Sequence, residues 1–196
     1  MTNKEIEDCA ASVYAKYVKR GGSYKKFSGI MMAEGIKFKG IQSANAEFIG
    51  AFTRANSGQL YIMVNGIIEN AGRRNFTIAH ELGHYFLKHL MHSNSFYCCN
   101  DEVSEESLAS DSIEREANYF ADCLLMPEDR IRGAFLAQLK NSRKAKIKDF
   151  LYVKNNYTYS IWCGIRADLM SRYGVSEAEL RYRLSGLGLA RFEFAR

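Results

Sequence analysis

Residues His80-Glu81-Leu82-Gly83-His84 set two imidazoles and a carboxylate in an H-E-x-x-H spacing. They lie in Phe76-Thr-Ile-Ala-His-Glu-Leu-Gly-His-Tyr-Phe-Leu87, a run that reads as a helix. A helix turns once per 3.6 residues, so histidines four apart share a face and can reach one cation. Glu81 projects beside that cation. Neutral imidazole nitrogens suit Zn2+, and a carboxylate next to an activated water is the base that hydrolysis needs.

The chain has only 4 histidines in 196 residues, so this spacing would arise by chance on the order of once in 150 such chains. Ala79, Leu82, Phe86, Leu87, Leu90 and Met91 recur every three or four residues and define the apolar stripe of the helix. His80 and His84 fall together at one edge of that stripe, where a helix borders both core and cleft.

A catalytic zinc takes three protein ligands, so one more donor is required. A metzincin continues its motif to a glycine and a third histidine, but Leu87 and Leu90 hold those positions here. His89 misses by one residue and, if the helix continues, points away. The alternative is a carboxylate on a neighbouring helix. The run from Asp111 to Met126 offers Glu114 and Glu116, and its inward stripe is Ile113, Ala117, Phe120, Ala121, Leu124 and Leu125. Glu114 sits nearer that stripe and stacks over Asn118, an amide able to orient a ligand carboxylate. The residues favour Glu114 and keep Glu116 as its rival.

At 47% hydrophobic residues, the chain can bury one core, with a small appendage. No apolar stretch approaches the length of a membrane span. The polar, acidic start at Met1-Thr-Asn-Lys-Glu-Ile-Glu-Asp8 is not the head of a signal peptide. Five cysteines, odd in number and without a CxxC spacing, argue for a reducing, cytoplasmic setting and against a disulfide framework. Cys98-Cys99 near His92 reads as free thiols rather than a second metal site. The net charge of +5 is concentrated in Lys140 to Lys148 and, more mildly, Arg166 to Arg183. A basic run of this kind reads as a solvated face, or as a surface steering an acidic protein, rather than as a nucleic-acid site.

Periodicity sets the surrounding elements. Ile6, Cys9, Ala10, Val13, Tyr14, Tyr17 and Val18 mark a first helix, stopped at Gly21-Gly22. Residues 35–41, 46–53 and 59–65 read as three strands of a small, mostly antiparallel sheet. Asn75 is a candidate cap for the motif helix. Ser93 to Ser110 reads as a loop, a possible lid beside the site. Asp111 to Glu114 is a capping box opening the second-carboxylate helix, which Met126-Pro127 closes before another helix running to Lys140. A helix from Ser160 to Tyr173 ends at Gly174, and Ser176 to Glu179 caps a last one reaching Leu184. The layout is α+β, with helices flanking one sheet and H-E-x-x-H on a central helix. It divides into a domain over 1–140 and a helical extension over 141–196 packed on it.

Arg74-Asn-Phe-Thr-Ile-Ala-His-Glu-Leu-Gly-His84, Ile113-Glu-Arg-Glu-Ala-Asn-Tyr-Phe-Ala-Asp-Cys-Leu-Leu-Met-Pro127, and the ending from Tyr173 to Leu189 together resemble the ImmA/IrrE metallopeptidases. The resemblance implies a zincin-like core with zinc on His80, His84 and Glu114 and with Glu81 as the catalytic glutamate. It also implies a cytosolic, stress-responsive endopeptidase that cuts a DNA-binding repressor or an antitoxin. Many such proteins carry a helix-turn-helix domain. The first 58 residues here show one amphipathic helix and then strands, so the helix-turn-helix protein is expected to be a separate partner. A rival expectation is a regulator that binds such a partner through the same metal fold without cutting it. A second oxyanion donor is expected among Tyr85, Tyr97, Tyr119, Tyr157 and Arg166.

Overall fold

A computed structural model describes residues 1–18, 27–43, 45, 48–89, 95–99, 108–141 and 149–193, with the backbone alone for 95–99 and 108–111. The chain forms two compact units, Met1–Leu125 and Met126–Arg196.

The first unit begins with α1 (Asn3–Val13), which runs into a π-helical turn at Tyr14–Val18. Thr2 and Glu5 form a capping box at its start, satisfying amide donors that the first helical turn leaves unpaired. Ile6, Ala10 and Val13 are its buried residues, three or four apart as one helical face demands. The glycine pair at 21–22 lies outside the described residues. A short helix that periodicity did not mark, α2 (Phe27–Ala33), precedes β1 (Ile36–Ile41), β2 (Phe48–Arg54) and β3 (Leu60–Asn65).

These strands and β4 (Ser95–Cys99) form one four-stranded sheet in the order β1-β3-β2-β4. β2 pairs antiparallel with β3 and β4, whereas β1 runs parallel to β3. The sheet is therefore mostly antiparallel. The segment from Ser93 to Ser110 is not the plain loop its polarity suggests: it contributes an edge strand and the first turn of a helix. In a strand, alternate residues share a face. Gly50 and Phe52 of β2 lie beside Val64 and Ile62 of β3 in register, and Phe52, Ile62 and Val64 are fully buried.

The motif helix, α3 (Ala71–Phe86), packs on β2 and β3 and against α4 (Leu108–Leu125). Its cap is Asn70, whose side chain accepts from the Arg73 amide. Asn75, the cap expected from sequence, sits a turn inside. α4 likewise starts at Leu108, so Asp111 lies within the helix rather than at its cap. α1 covers α4 from another side. Gly83 is what lets α3 and α4 approach. A Cβ there would stand 3.1 Å from the Ala117 carbonyl oxygen, 3.2 Å from Ala117 Cα and 3.2 Å from the Phe120 ring.

The second unit holds α5 (Glu128–Asn141), β5 (Leu151–Val153), α6 (Asn156–Tyr173), α7 (Glu177–Gly186) and β6 (Ala190–Phe192). β5 and β6 pair in parallel, so this part is not purely helical. Their three-residue length hides them from a periodicity reading. Gly174 ends α6 in the left-handed conformation, φ 64°, which glycine adopts without steric cost. Ser176 and Glu179 form the expected capping box. Ile131 and Phe135 of α5, Trp162 and Leu169 of α6, and Leu180 and Leu184 of α7 are fully buried. The Trp162 indole donates to Glu177 Oε1 at 2.9 Å, and Arg166 pairs with the other carboxylate oxygen.

Gly83→Ala replaces a helix-interior glycine, which alone stabilises by about 1 kcal/mol. Against Ala117 backbone it forces α3 from α4, and overpacking costs about 1–3 kcal/mol. A net fall in melting temperature is expected by calorimetry, and Gly83→Val falls further. In the second unit, burial raises the Glu177 carboxyl, but Trp162 and Arg166 outweigh it and hold it below its ordinary value. A lowered carboxyl contributes stability above its unfolded pKa and loses it as pH falls through the folded one. Glu177→Gln should destabilise by about 1 kcal/mol at pH 7, discounted for partial exposure. Urea titrations should show that deficit closing below pH 4.5, the unperturbed carboxyl value.

Candidate metal centre

α3 presents two functional stripes. Thr77, Glu81 and Tyr85, four apart, lie over β2: Gly50 sits against Thr77 and Glu81, and the Phe52 ring meets the Tyr85 ring edge-on at 5.9 Å. His80 and His84 turn instead toward α4. Their Nε2 atoms are 3.0 Å apart. Glu114 of α4 places Oε2 at 3.0 Å from His80 Nε2 and Oε1 at 3.4 Å from His84 Nε2.

These spacings suit one ion. Ligands 2.0–2.1 Å from a tetrahedral zinc stand roughly 3.3 Å apart. Donor atoms of His80, His84 and Glu114 all lie within 4.8 Å of one another. Both imidazoles are buried, and the Glu114 side chain keeps 31% of its surface exposed, so the cluster has an open side. Of the two carboxylates offered by α4, the structure brings Glu114 to the imidazoles. Glu116 lies elsewhere, pairing with the Met1 amine and with His89.

Charges are set for a cation. Burial alone would raise the Glu114 carboxyl, but the His80 and His84 rings set against it outweigh that and bring it down to about 2. Burial brings His84 down to about 4, leaving it neutral. His80 is different: despite burial, the neighbouring Glu114 holds it above its ordinary value. A proton there competes with a metal ion for the same nitrogen, so metal uptake displaces it.

Asn118 orients a histidine rather than Glu114. Its Oδ1 lies 2.9 Å from His80 Nδ1. An amide oxygen only accepts, so Nδ1 carries the hydrogen and Nε2 is left bare toward Glu114 and His84.

Glu81 is fully buried; its carboxylate oxygens meet no hydrogen bond of good geometry among the described residues, and the Phe52 backbone opposes its burial only weakly. Burial pushes its pKa up to about 8, with His80 opposing and Glu114 adding. An orphaned carboxylate beside the ligand cluster is a proton acceptor waiting for a polar partner. Gly50 makes room for it: a Cβ there would come 2.6 Å from Thr77 Cγ2 and 3.1 Å from Glu81 Oε1.

His89 departs from expectation. α3 stops at Phe86, and Lys88 takes a left-handed conformation, φ 62°. The chain doubles back and buries His89 with its Nδ1 3.0 Å from His84 Nδ1. No glycine or proline marks that stop, so the sequence held no signal for it. Of the oxyanion-donor candidates, Tyr85 donates to Glu34 Oε2 at 2.8 Å; burial and that carboxylate push its phenol up to about 12. Tyr157 and Arg166 belong to the second unit, and the Tyr97 side chain is outside the described residues, as are Cys98 and Cys99. Cys9, Cys123 and Cys163 are free thiols.

A mostly antiparallel sheet under a helix carrying H-E-x-x-H, with a glutamate delivered by the next helix, defines a zincin-like metallopeptidase class. Residues 46–185 match the family model of the IrrE N-terminal-like domain, Peptidase_M78. The chain belongs to this ImmA/IrrE family of metallopeptidases. No curated protein matches the chain. The family implies a metal ion, and His80, His84 and Glu114 are the residues that fit one. No helix among the described residues is long and apolar enough to cross a membrane.

Asn118→Ala removes the acceptor that fixes His80. A loss of about 10–100-fold in Zn2+ affinity is expected, read by competition with a chromophoric chelator. Unchanged affinity would show that His80 needs no such partner.

Proposed function

We propose that the protein is a zinc-dependent endopeptidase acting on a regulatory protein such as a helix-turn-helix repressor or an antitoxin. The observation that supports it best is the pairing of a three-donor cluster (His80, His84, Glu114) with a buried, unpartnered Glu81 beside it. A pure binding protein has no use for a general base in that position. Zinc, held by His80, His84 and Glu114, would polarise a peptide carbonyl and acidify water.

Glu81 then accepts the water's proton as it attacks the carbonyl carbon, and returns it to the departing amine. Burial raises this carboxyl in the metal-free site, and a cation held beside it would draw it back toward the carboxylate that accepts a proton. The substrate class follows from the family resemblance. The net charge of +5 adds attraction toward acidic proteins.

Glu81→Gln should retain stoichiometric zinc and lose about 10²–10⁴-fold in cleavage rate, measured by mass spectrometry on a neighbouring-gene repressor or antitoxin. His84→Ala should lose both zinc and cleavage. Normal cleavage by the Gln variant would remove Glu81 from the mechanism. A zinc-loaded wild type that binds such a partner and leaves it intact would instead support the non-cleaving regulator.

A further inference from the structure

His89 and Glu116 take no part in the ligand set, yet both are held against it. His89 is only 5% exposed. Its Nε2 lies 3.3 Å from Glu116 Oε2, and its Nδ1 lies 3.0 Å from His84 Nδ1. Reaching this position requires Lys88 at φ 62°, a left-handed conformation that is strained for a residue with a Cβ. The Met1 amine meets the other oxygen of Glu116, and α4 fixes its backbone.

The hydrogens along this line follow from what each atom can do. A carboxylate only accepts, so His89 Nε2 carries a hydrogen toward Glu116. In a neutral ring the other nitrogen is then bare, so His89 Nδ1 accepts. His84 Nδ1 must therefore donate, which leaves His84 Nε2 with its lone pair toward His80 and Glu114. Asn118 does the same for His80 through one atom. For His84 the same line runs through two residues, His89 and then Glu116.

We propose that Glu116 and His89 form a positioning pair that fixes His84 in the tautomer whose Nε2 is free to bind a metal ion. The pair acts through His84 and touches neither metal nor substrate. The inference rests on the metal-centre reading above.

The test uses Zn2+ alone, with His89→Leu and His89→Asn. Asparagine Oδ1 falls where His89 Nδ1 stands and still accepts, whereas leucine fills similar space without an acceptor. His89→Leu should lose about 10–100-fold in Zn2+ affinity, and His89→Asn should recover most of it. Cobalt-substituted spectra should change in the leucine variant and return in the asparagine one. In zinc-loaded wild type, imidazole ¹⁵N shifts should report an Nδ1–H form for His84 and an Nε2–H form for His89. Wild-type affinity in His89→Leu, equal losses in both variants, or an Nδ1–H form of His89 would each overturn the proposal. Should His89→Leu not fold, the wild-type shifts decide. Wild type that takes up no zinc would sink the metal-centre reading itself, a result separable from failure of the pair alone.

Discussion

Two imidazoles and two carboxylates converge around the junction of α3 and α4, and the rest of the first unit is arranged to keep them there. Burying such groups without partners costs several kcal/mol each. Here the cost is limited by setting the groups against one another: Glu114 lies beside the Nε2 atoms of both histidines, Asn118 accepts from His80, and His89 meets His84. The arrangement depends on how closely the helices approach. Gly83 opposite Ala117 sets that approach, since a side chain on Gly83 would meet backbone rather than a yielding side chain. α1 then covers α4 with Ile6, Ala10 and Val13.

Environment separates the two glutamates that sequence presents as the same residue type. Glu114 faces the imidazoles and is drawn down to about 2; Glu81 faces the sheet and is pushed up to about 8. One is a permanent anion, suited to hold a cation. The other exchanges a proton near neutrality. Paired titratable groups driven apart in this way mark division of labour at a site.

Much of this was legible in the chain because helical geometry is local. H-E-x-x-H fixes the angle between His80, Glu81 and His84 without reference to anything else. The stripe of α4 favours Glu114 over Glu116, and the structure seats Glu114 on the imidazoles, although its side chain is the more exposed of the two, 31% against 15%. The capping box at Ser176 and the stop at Gly174 were likewise written in residue types with one conformational preference. What escaped was set by tertiary contact. Asn118 bonds a histidine across the helix pair, β4 takes the short apolar run Phe96 to Cys99 out of a longer polar stretch where β2 offers it an edge, and β1 runs parallel to β3 because the β2–β3 hairpin folds back beside it. His89 leaves the line of a continuing helix because α3 ends at Phe86, and a left-handed lysine leaves no mark in composition.

The spacing of the motif carries a further consequence for the chemistry. Glu81 is one residue from His80, so it is rotated about 100° from it around the α3 axis. That rotation puts the base on the sheet side, over Gly50, while both ligands stay on the α4 side. A strand with no side chain at Gly50 leaves room for the carboxylate above it. Any residue larger than glycine there would either displace Glu81 or tilt α3, and tilting α3 would move His80 and His84 relative to Glu114. The glycine under the base and the glycine between the helices thus control one quantity from two sides: where α3 lies between the sheet and α4. A cation held by His80, His84 and Glu114 and a proton carried by Glu81 would both depend on that same placement, so neither could be retuned independently of the other.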